Sequence, residues 1–162
     1  MPDTARDSSD QVSVQRLIAA PPEAIFDILA NPARHGEIDG SGTVVKARSA
    51  RGERRLALGD SFGMDMNWGV GYATKNVVTE FEENRRIAWR TFAPAPLDRL
   101  FTGRTWRYQL EPQDGGTLVK ETWDVSTEAW PGRIFVRRLA DLTRRNMSRT
   151  LERLDEAVTT SV

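Results

Sequence analysis

The sequence predicts an α+β domain in which a curved antiparallel sheet wraps around a long C-terminal helix. In the stretch 62–69, Phe62, Met64, Met66 and Trp68 alternate with small or polar residues, as in a strand with one apolar face. Later stretches repeat this alternation with more tryptophan. From residue 130 to about 158 the apolar period becomes helical. What the sheet and the helix enclose is therefore the question that bears on function.

The N-terminal part predicts one strand followed by two short helices. Residues 11–19 alternate apolar and polar side chains, as a strand does. Pro22 suits the first helical position and Glu23 the positive end of the helix dipole. This helix should end near residues 31–32, because proline disfavours the helical conformation in the residue before it. A second short helix or turn is expected over 33–38.

The middle of the chain predicts a meander of antiparallel strands separated by turns. The predicted strands are 43–50, 56–68, 72–81, 86–92, 103–110 and 117–125, with turns at 51–54, 82–84 and 111–116. The connection 93–102 is longer than a hairpin needs and contains Leu97, Leu100 and Phe101. It is either a lid or an ordinary loop that packs these side chains on the sheet edge.

The last helix carries an apolar stripe and many arginines. The predicted buried stripe is Phe135, Leu139, Leu142, Met147, Leu151, Leu154 and Val158. The arginines form either a surface for nucleic acid or lipid headgroups or a solvated face with pairs such as Asp141 and Arg145, four residues apart. The solvated face is our expectation. The whole order of elements suggests a helix-grip architecture.

Composition excludes several classes of site. The 162 residues predict a flexible tail over 1–10 and one domain over 11–160. There is no cysteine and His35 is the one histidine, so thiolate sites and three-histidine metal sites are excluded and we expect no metal or cofactor. Twenty-three basic and twenty-three acidic side chains cancel, so we expect no nucleic-acid partner. Without a long apolar run we expect no membrane insertion, a cytoplasmic location and a monomer or homodimer.

Several motifs resemble one protein family. They are APPEAIFD at 20–27, NPARH at 31–35, IDGSG at 38–42, FEENRRIAW at 81–89, WRY at 106–108 and GGTLVKET at 115–122. Over residues 12–158 the chain resembles the polyketide cyclase/dehydrase branch of the START-like superfamily, also called SRPBCC or Bet v 1-like. The resemblance implies a seven-stranded antiparallel sheet gripping the last helix around a deep, mainly apolar cavity. Members include lipid and sterol carriers, hormone receptors and aromatase/cyclases, so it implies a ligand class and leaves the reaction open.

Strand alternation and the helical stripe give the candidate ligand-binding residues. They are Met64, Met66, Trp68, Trp89, Arg104, Trp106, Tyr108, Glu121, Trp123, Leu142 and Asn146. For any single tryptophan the alternative is that it fills a core. Five tryptophans favour some open space, because each is hard to pack and needs a partner for its N–H. Methionine adds an adaptable wall.

Glu121 and His35 are the candidates for proton transfer. A carboxylate in an apolar cavity has a raised pKa, so Glu121 is a candidate acid or base. The alternative is an ion pair between Glu121 and Arg104 with no chemistry. His35 would titrate near neutrality if exposed, and its alternative role is a helix cap or a surface residue. We therefore commit to no catalytic residue.

Three functions follow from these residues. The leading one is non-covalent binding of a small, mainly apolar ligand, either lipid-like or resembling an aromatic polyketide. The second is a polyketide cyclase or dehydratase that uses Glu121 or His35 for proton transfer. The third is a regulatory interaction protein that uses the arginine-rich last helix.

Overall fold

A computed structural model describes residues 10–48, 54–67 and 69–160, with the backbone alone for 44–48. The predicted tail over 1–9, most of the turn at 51–54 and the candidate Trp68 lie outside the described residues. Asp10, predicted to belong to the tail, is anchored instead. Its backbone carbonyl accepts from the Val125 N–H at 2.9 Å, and its carboxylate accepts from Arg137 Nε at 2.7 Å.

The described residues form one antiparallel sheet and four α-helices. The elements are β1 (Gln11–Ile18), α1 (Pro22–Leu29), a 3-10 turn (Pro32–Arg34), α2 (His35–Ile38), β2 (Val44–Arg48), β3 (Ser61–Asn67), β4 (Gly71–Glu82), β5 (Arg86–Phe92), a second 3-10 turn (Leu97–Arg99), β6 (Arg104–Gln113), β7 (Gly116–Asp124), α3 (Trp130–Arg137) and α4 (Ala140–Thr159). The strand order is β1-β7-β6-β5-β4-β3-β2. The predicted α+β class, with an antiparallel sheet and a C-terminal helix, is confirmed, and the arrangement fits a helix grip.

The strand register aligns the inward side chains in rows across the sheet. Trp89 on β5 lies opposite Trp106 on β6, and Trp106 lies opposite Trp123 on β7. In the next row Tyr108 lies opposite Glu121. Because cross-strand neighbours on one face have Cβ atoms roughly 5 Å apart, these side chains form one continuous wall.

Two strand boundaries differ from the prediction, each for a local reason. Residues 56–60 precede β3, since the N–H of the buried Leu56 donates to Ala30 O at 2.8 Å and so ties this segment to the end of α1. β6 continues through Pro112. The Leu110 N–H donates to Arg85 O on the β5 side. The backbone nitrogen of Pro112, two residues later, points to the same side but lies past the end of β5. No donor is needed there.

The predicted single helix over 130–158 is wrong, because the chain turns between α3 and α4. The N–H groups of Arg138 and Leu139 donate to the carbonyls three residues earlier, which tightens the backbone and ends α3. The apolar stripe therefore splits. Phe135 is 52% exposed and Val136 is buried in its place.

Most of the predicted stripe on α4 itself is buried. Met147, Leu151, Leu154 and Val158 belong to the core, whereas Leu142 is 46% exposed. The main contacts of α4 are with β1, β7, α1 and α2. The buried stripe thus begins only after the first turns of α4.

The connection 93–102 packs on α3 and also contacts the sheet, since Arg90 Nη2 on β5 donates to Thr102 O at 2.5 Å. Phe101 contacts Phe135 edge-to-face, with ring centroids 6.2 Å apart. A Cβ added to Gly132 would lie 2.4 Å from Leu100 O, so the loop backbone lies directly against this helix. This close approach explains the glycine within α3.

Several arginines of the last two helices make contacts within the chain. Arg137 pairs with Asp10, and Arg153 Nη1 donates to Asp39 O at 2.7 Å. Arg145 Nε donates to the backbone carbonyl of Asp141 at 3.4 Å, so the predicted contact between these two residues forms through the backbone. These contacts favour the solvated-face interpretation. No helix in the described part of the chain is long and apolar enough to cross a membrane.

Gly40 fastens the turn after α2 to α4. Its N–H donates to Thr150 Oγ1 at 3.0 Å, and that hydroxyl donates to Asn146 O at 3.0 Å. A Cβ at Gly40 would lie 2.2 Å from Asn146 O and 2.5 Å from Thr150 N. Only glycine allows this approach. The contact holds α2 against α4 and so positions the α2 residues that line the cavity.

Gly40→Ala is therefore expected to lower the free energy of unfolding by about 2 kcal/mol or more, since backbone must move to admit the methyl group. Urea unfolding followed by fluorescence measures this loss. Gly36→Ala is the matched control, because a Cβ there meets nothing within 4 Å. Equal effects of the two substitutions would contradict the close contact.

Candidate functional site

A cavity of about 290 Å³ lies between the inner face of the sheet and helices α2, α3 and α4. All predicted ligand-binding residues that the structure describes line it. They are Met64, Met66, Trp89, Arg104, Trp106, Tyr108, Glu121, Trp123, Leu142 and Asn146. Their role in binding stays a prediction. Leu142 is both cavity-lining and 46% exposed, so the cavity reaches the surface beside it.

One wall of the cavity is an aromatic cluster around Trp89. The His35 ring stacks on Trp89 with centroids 5.0 Å apart and planes 20° apart. Phe62 meets Trp89 edge-to-face at 5.7 Å, and Tyr108 lies at 5.5 Å. These three contacts fix the indole ring. Trp89 is therefore both core and cavity wall.

His35 is buried rather than at the surface. Its Nε2 lies 2.8 Å from Leu29 O, and since a carbonyl only accepts, Nε2 carries the proton. Burial lowers the pKa of His35 to about 4, with the hydrogen bond to Leu29 opposing the shift. His35 is thus neutral at pH 7, and its N–H is already in use.

Glu121 is buried and lines the cavity. The Tyr108 hydroxyl donates to its Oε1 at 2.8 Å. Burial raises the pKa of Glu121 to about 8, the hydrogen bond from Tyr108 opposes this shift, and the charge of Asp39 adds to it. Burial and the neighbouring Glu121 charge also raise the pKa of Tyr108. At pH 7 the side chain of Glu121 is therefore mainly the neutral acid.

The predicted ion pair between Glu121 and Arg104 is wrong. The register places Tyr108, not Arg104, opposite Glu121. Arg104 Nη1 instead lies 4.0 Å from Glu128 Oε1, and the other oxygen of Glu128 accepts from the Gly103 N–H at 3.3 Å. Arg104 thus lines the cavity, whereas its acidic partner, Glu128, is not among the lining residues.

Sequence reasoning missed a polar group on β4 and β5. Thr91 Oγ1 donates to Asn76 Oδ1 at 2.6 Å, and Asn76 Nδ2 donates to Phe62 O at 3.3 Å. Both side chains are buried and line the cavity, as does Thr74. The period of two in β4 places Thr74 and Asn76 on the face of the buried Val78, and this pattern was available to predict them.

The connection 93–102 contributes none of its residues, all of which the structure describes, to the cavity lining. The lid interpretation therefore has no support in this arrangement. The neighbouring α3 and the turn after it do line the cavity, through Val136 and Leu139.

A second depression, of about 550 Å³, lies on the outer face of the sheet. Its lining includes Glu82, Arg85, Arg86 and Lys120. Arg85 and Arg86 pair with Glu82 at 3.1 and 3.4 Å. Such a charged, open groove is well solvated, so the inner cavity is the better candidate for an apolar ligand.

The sheet, the gripped helix and the internal cavity together define a helix-grip fold. The chain belongs to the family described as polyketide cyclase / dehydrase and lipid transport, whose sequence model matches residues 9–159. An uncharacterized protein of Mycobacterium tuberculosis (strain ATCC 25618 / H37Rv) is 34% identical over 116 residues, which are 70% of this chain and 47% of that protein. The chain spans about half the length of the curated relatives it matches.

Solved structures share the fold at low identity. Protein MLL2253 of Mesorhizobium loti has a TM-score of 0.71 at 18% identity, covering 94% of this chain and 98% of that one. A protein of Arthrobacter aurescens has a TM-score of 0.72 at 15% identity, covering 94% and 87%. DynU16, from the dynemicin biosynthetic locus, has a TM-score of 0.65 at 14% identity, covering 94% and 48%. These likenesses show the fold alone.

Proposed function

We propose that this chain binds a small, mainly apolar ligand, lipid-like or resembling an aromatic polyketide, in the inner cavity. The observation that carries the proposal is the composition of the cavity wall. Most of its surface is apolar and comes from aromatic rings, methionines and aliphatic side chains, while twelve of the twenty-five lining residues are polar or charged. Small-molecule sites have this composition. The volume of about 290 Å³ suits a compact ring system or a short acyl chain.

Different parts of the wall have different roles in this proposal. Trp106 and Trp123 offer flat contact area, and Met64 and Met66 adapt to the outline of the ligand. Asn146 on α4 offers a hydrogen bond that orients the ligand. The family description, which names both polyketide chemistry and lipid transport, agrees with this ligand class.

A second candidate function is a cyclase or dehydratase, and Glu121 is the observation that favours it. A carboxyl group with a pKa of about 8 is protonated at pH 7 and suited to donate a proton to a bound oxygen. His35 is the weaker candidate, because it is neutral at pH 7 and its N–H is bonded to Leu29. Enzyme action therefore depends on Glu121.

Ligand uptake tests the proposed function. We expect a saturable change in tryptophan fluorescence when the protein is titrated with aromatic ketones and acyl chains of graded size, because three tryptophans line the cavity. Native mass spectrometry should detect the same complexes. A protein that responds to no member of the series would contradict the proposal.

Glu121→Gln separates the two functions. The amide has nearly the shape of the neutral acid but cannot transfer the proton. Retained binding with loss of turnover identifies an enzyme, whereas retained binding with no turnover in either protein identifies a carrier or receptor. His35→Phe, which keeps a ring against Trp89, is the control for an effect of the histidine.

A further inference from the structure

Two buried polar atoms in the cavity wall lack a hydrogen-bond partner. They are Glu121 Oε2 and Trp123 Nε1. Elsewhere in the described residues the same is true of Arg90 Nε and Glu128 Oε1, but neither residue lines the cavity. Buried polar atoms are normally bonded, so each exception requires an explanation. A bound molecule would supply both missing partners.

Both unpartnered atoms are hydrogen-bond donors at neutral pH. The indole N–H of Trp123 only donates. Glu121 is mainly protonated at pH 7 because burial raises its pKa to about 8. Its Oε1 already accepts from the Tyr108 hydroxyl, which favours the acid proton on Oε2. The missing partner of both groups is therefore an acceptor.

The two donors belong to one site. Glu121 and Trp123 lie two residues apart on β7, so their side chains share the inner face of the sheet. Their Cα atoms are about 6.6 Å apart by strand geometry. Tyr108 and Trp106 lie opposite them on β6, and Val14 and Val12 lie opposite them on β1. Glu121 and Trp123 both line the cavity.

We propose that Glu121 and Trp123 recognise an uncharged oxygen acceptor, the carbonyl of a ketone or ester, on an otherwise apolar ligand. This inference rests on the proposed function and specifies the chemistry of its ligand. A hydroxyl or amine hydrogen directed at the two donors would leave them unpartnered. A carboxylate would be a buried charge beside Asp39, while the cation in the lining, Arg104, lies next to Glu128.

Matched probes test the proposal on the full chain by equilibrium dialysis. The probes are 2-acetonaphthone, 2-ethylnaphthalene and 2-naphthoate, which share one ring system and differ in the group presented. At pH 6.5 we expect the ketone to bind about 10-fold more tightly than the hydrocarbon, because of these two probes only the ketone has an acceptor for the buried donors. The naphthoate should bind more weakly than the ketone.

The preference for the ketone should disappear at pH 9.5. Glu121 is then ionised, Oε2 becomes an acceptor and repels the carbonyl oxygen. Binding of 2-ethylnaphthalene, which meets neither donor, reports whether the cavity is intact at that pH. In Glu121→Gln an amide N–H replaces the acid O–H, so the ketone preference should persist at both pH values. Glu121→Met should remove most of it at both.

Trp123→Phe should reduce the ketone preference because it removes the indole N–H and keeps an aromatic ring. Trp106→Phe is the matched control. It shrinks a neighbouring cavity ring whose nitrogen is not among the unpartnered atoms, so it should change ketone and hydrocarbon binding alike.

Three outcomes overturn the inference. Equal binding of ketone and hydrocarbon by the wild-type protein at pH 6.5 refutes carbonyl recognition and leaves the proposed function intact. Tighter binding of 2-naphthoate than of the ketone replaces it with anion recognition. Failure of all three probes to bind removes the inference and the aromatic half of the proposed function, and the titration with acyl chains decides the other half.

Discussion

Glu121→Gln is expected to stabilise the folded protein by roughly 3 kcal/mol at pH 7. The pKa of Glu121 rises from 4.5 to about 8 on folding. Between these values the folded state holds a proton that the unfolded state has released, so the stability due to Glu121 falls as pH rises. It is fully present below pH 4.5 and lost by about pH 8. Glutamine remains neutral and avoids the loss.

Urea unfolding at a series of pH values between 4.5 and 8 measures this effect. The two proteins should have similar stability near pH 4.5 and separate as pH rises. Glu80→Gln is the control with the opposite sign. The hydrogen bonds from Arg107 hold the pKa of Glu80 below its ordinary value, so this substitution should destabilise at pH 7 and lose its effect in acid. The contrary result is a stability difference, Glu121→Gln minus wild type, that becomes more negative between pH 4.5 and pH 7. It would mean that Glu121 is ionised in the fold.

Trp89→Ala and Trp106→Ala are expected to separate core from ligand contact. Trp89 is 8% exposed and contacts His35, Phe62 and Tyr108, so its truncation should lower the free energy of unfolding by about 3–5 kcal/mol. Trp106 is only partly buried and should lose about 1–3 kcal/mol. Its truncation should weaken ligand binding about 10-fold, because a flat cavity contact disappears.

Urea unfolding and titration with 2-acetonaphthone on the same samples provide the two measurements. The variants are well matched, since the two residues lie opposite each other on neighbouring strands. If the ratio of affinity loss to stability loss is the same for Trp106→Ala as for Trp89→Ala, Trp106 is ordinary core and the proposed contact role fails.

The sheet and most of the cavity wall could be predicted from the sequence because a strand alternates its side chains with a fixed period. Once Trp106 is assigned to the inner face, Tyr108 and Arg104 follow on β6, and the same reasoning places Glu121 beside Trp123 on β7. The boundary between α3 and α4, where the chain changes direction, could not be predicted in this way. Nothing in the apolar period between Phe135 and Leu142 reveals the turn that ends α3, so one helix was predicted where there are two.

Partners across strands also escaped the sequence. Alternation assigns Glu121 and Arg104 to the same face but does not say which residues meet, and the register pairs Glu121 with Tyr108 instead. The burial of His35 against Trp89 likewise depends on how α2 lies on the sheet, which the contact at Gly40 fixes.

By itself, the sequence determined the fold class, the family and the inward faces of β3, β5, β6 and β7, because these depend on local periods and motifs. The tertiary structure alone decided the protonation of Glu121 and His35 and left the Trp123 N–H without a partner. The physical reason is that pKa values and hydrogen-bond partners depend on burial and on neighbours distant in the chain, which a local pattern does not encode.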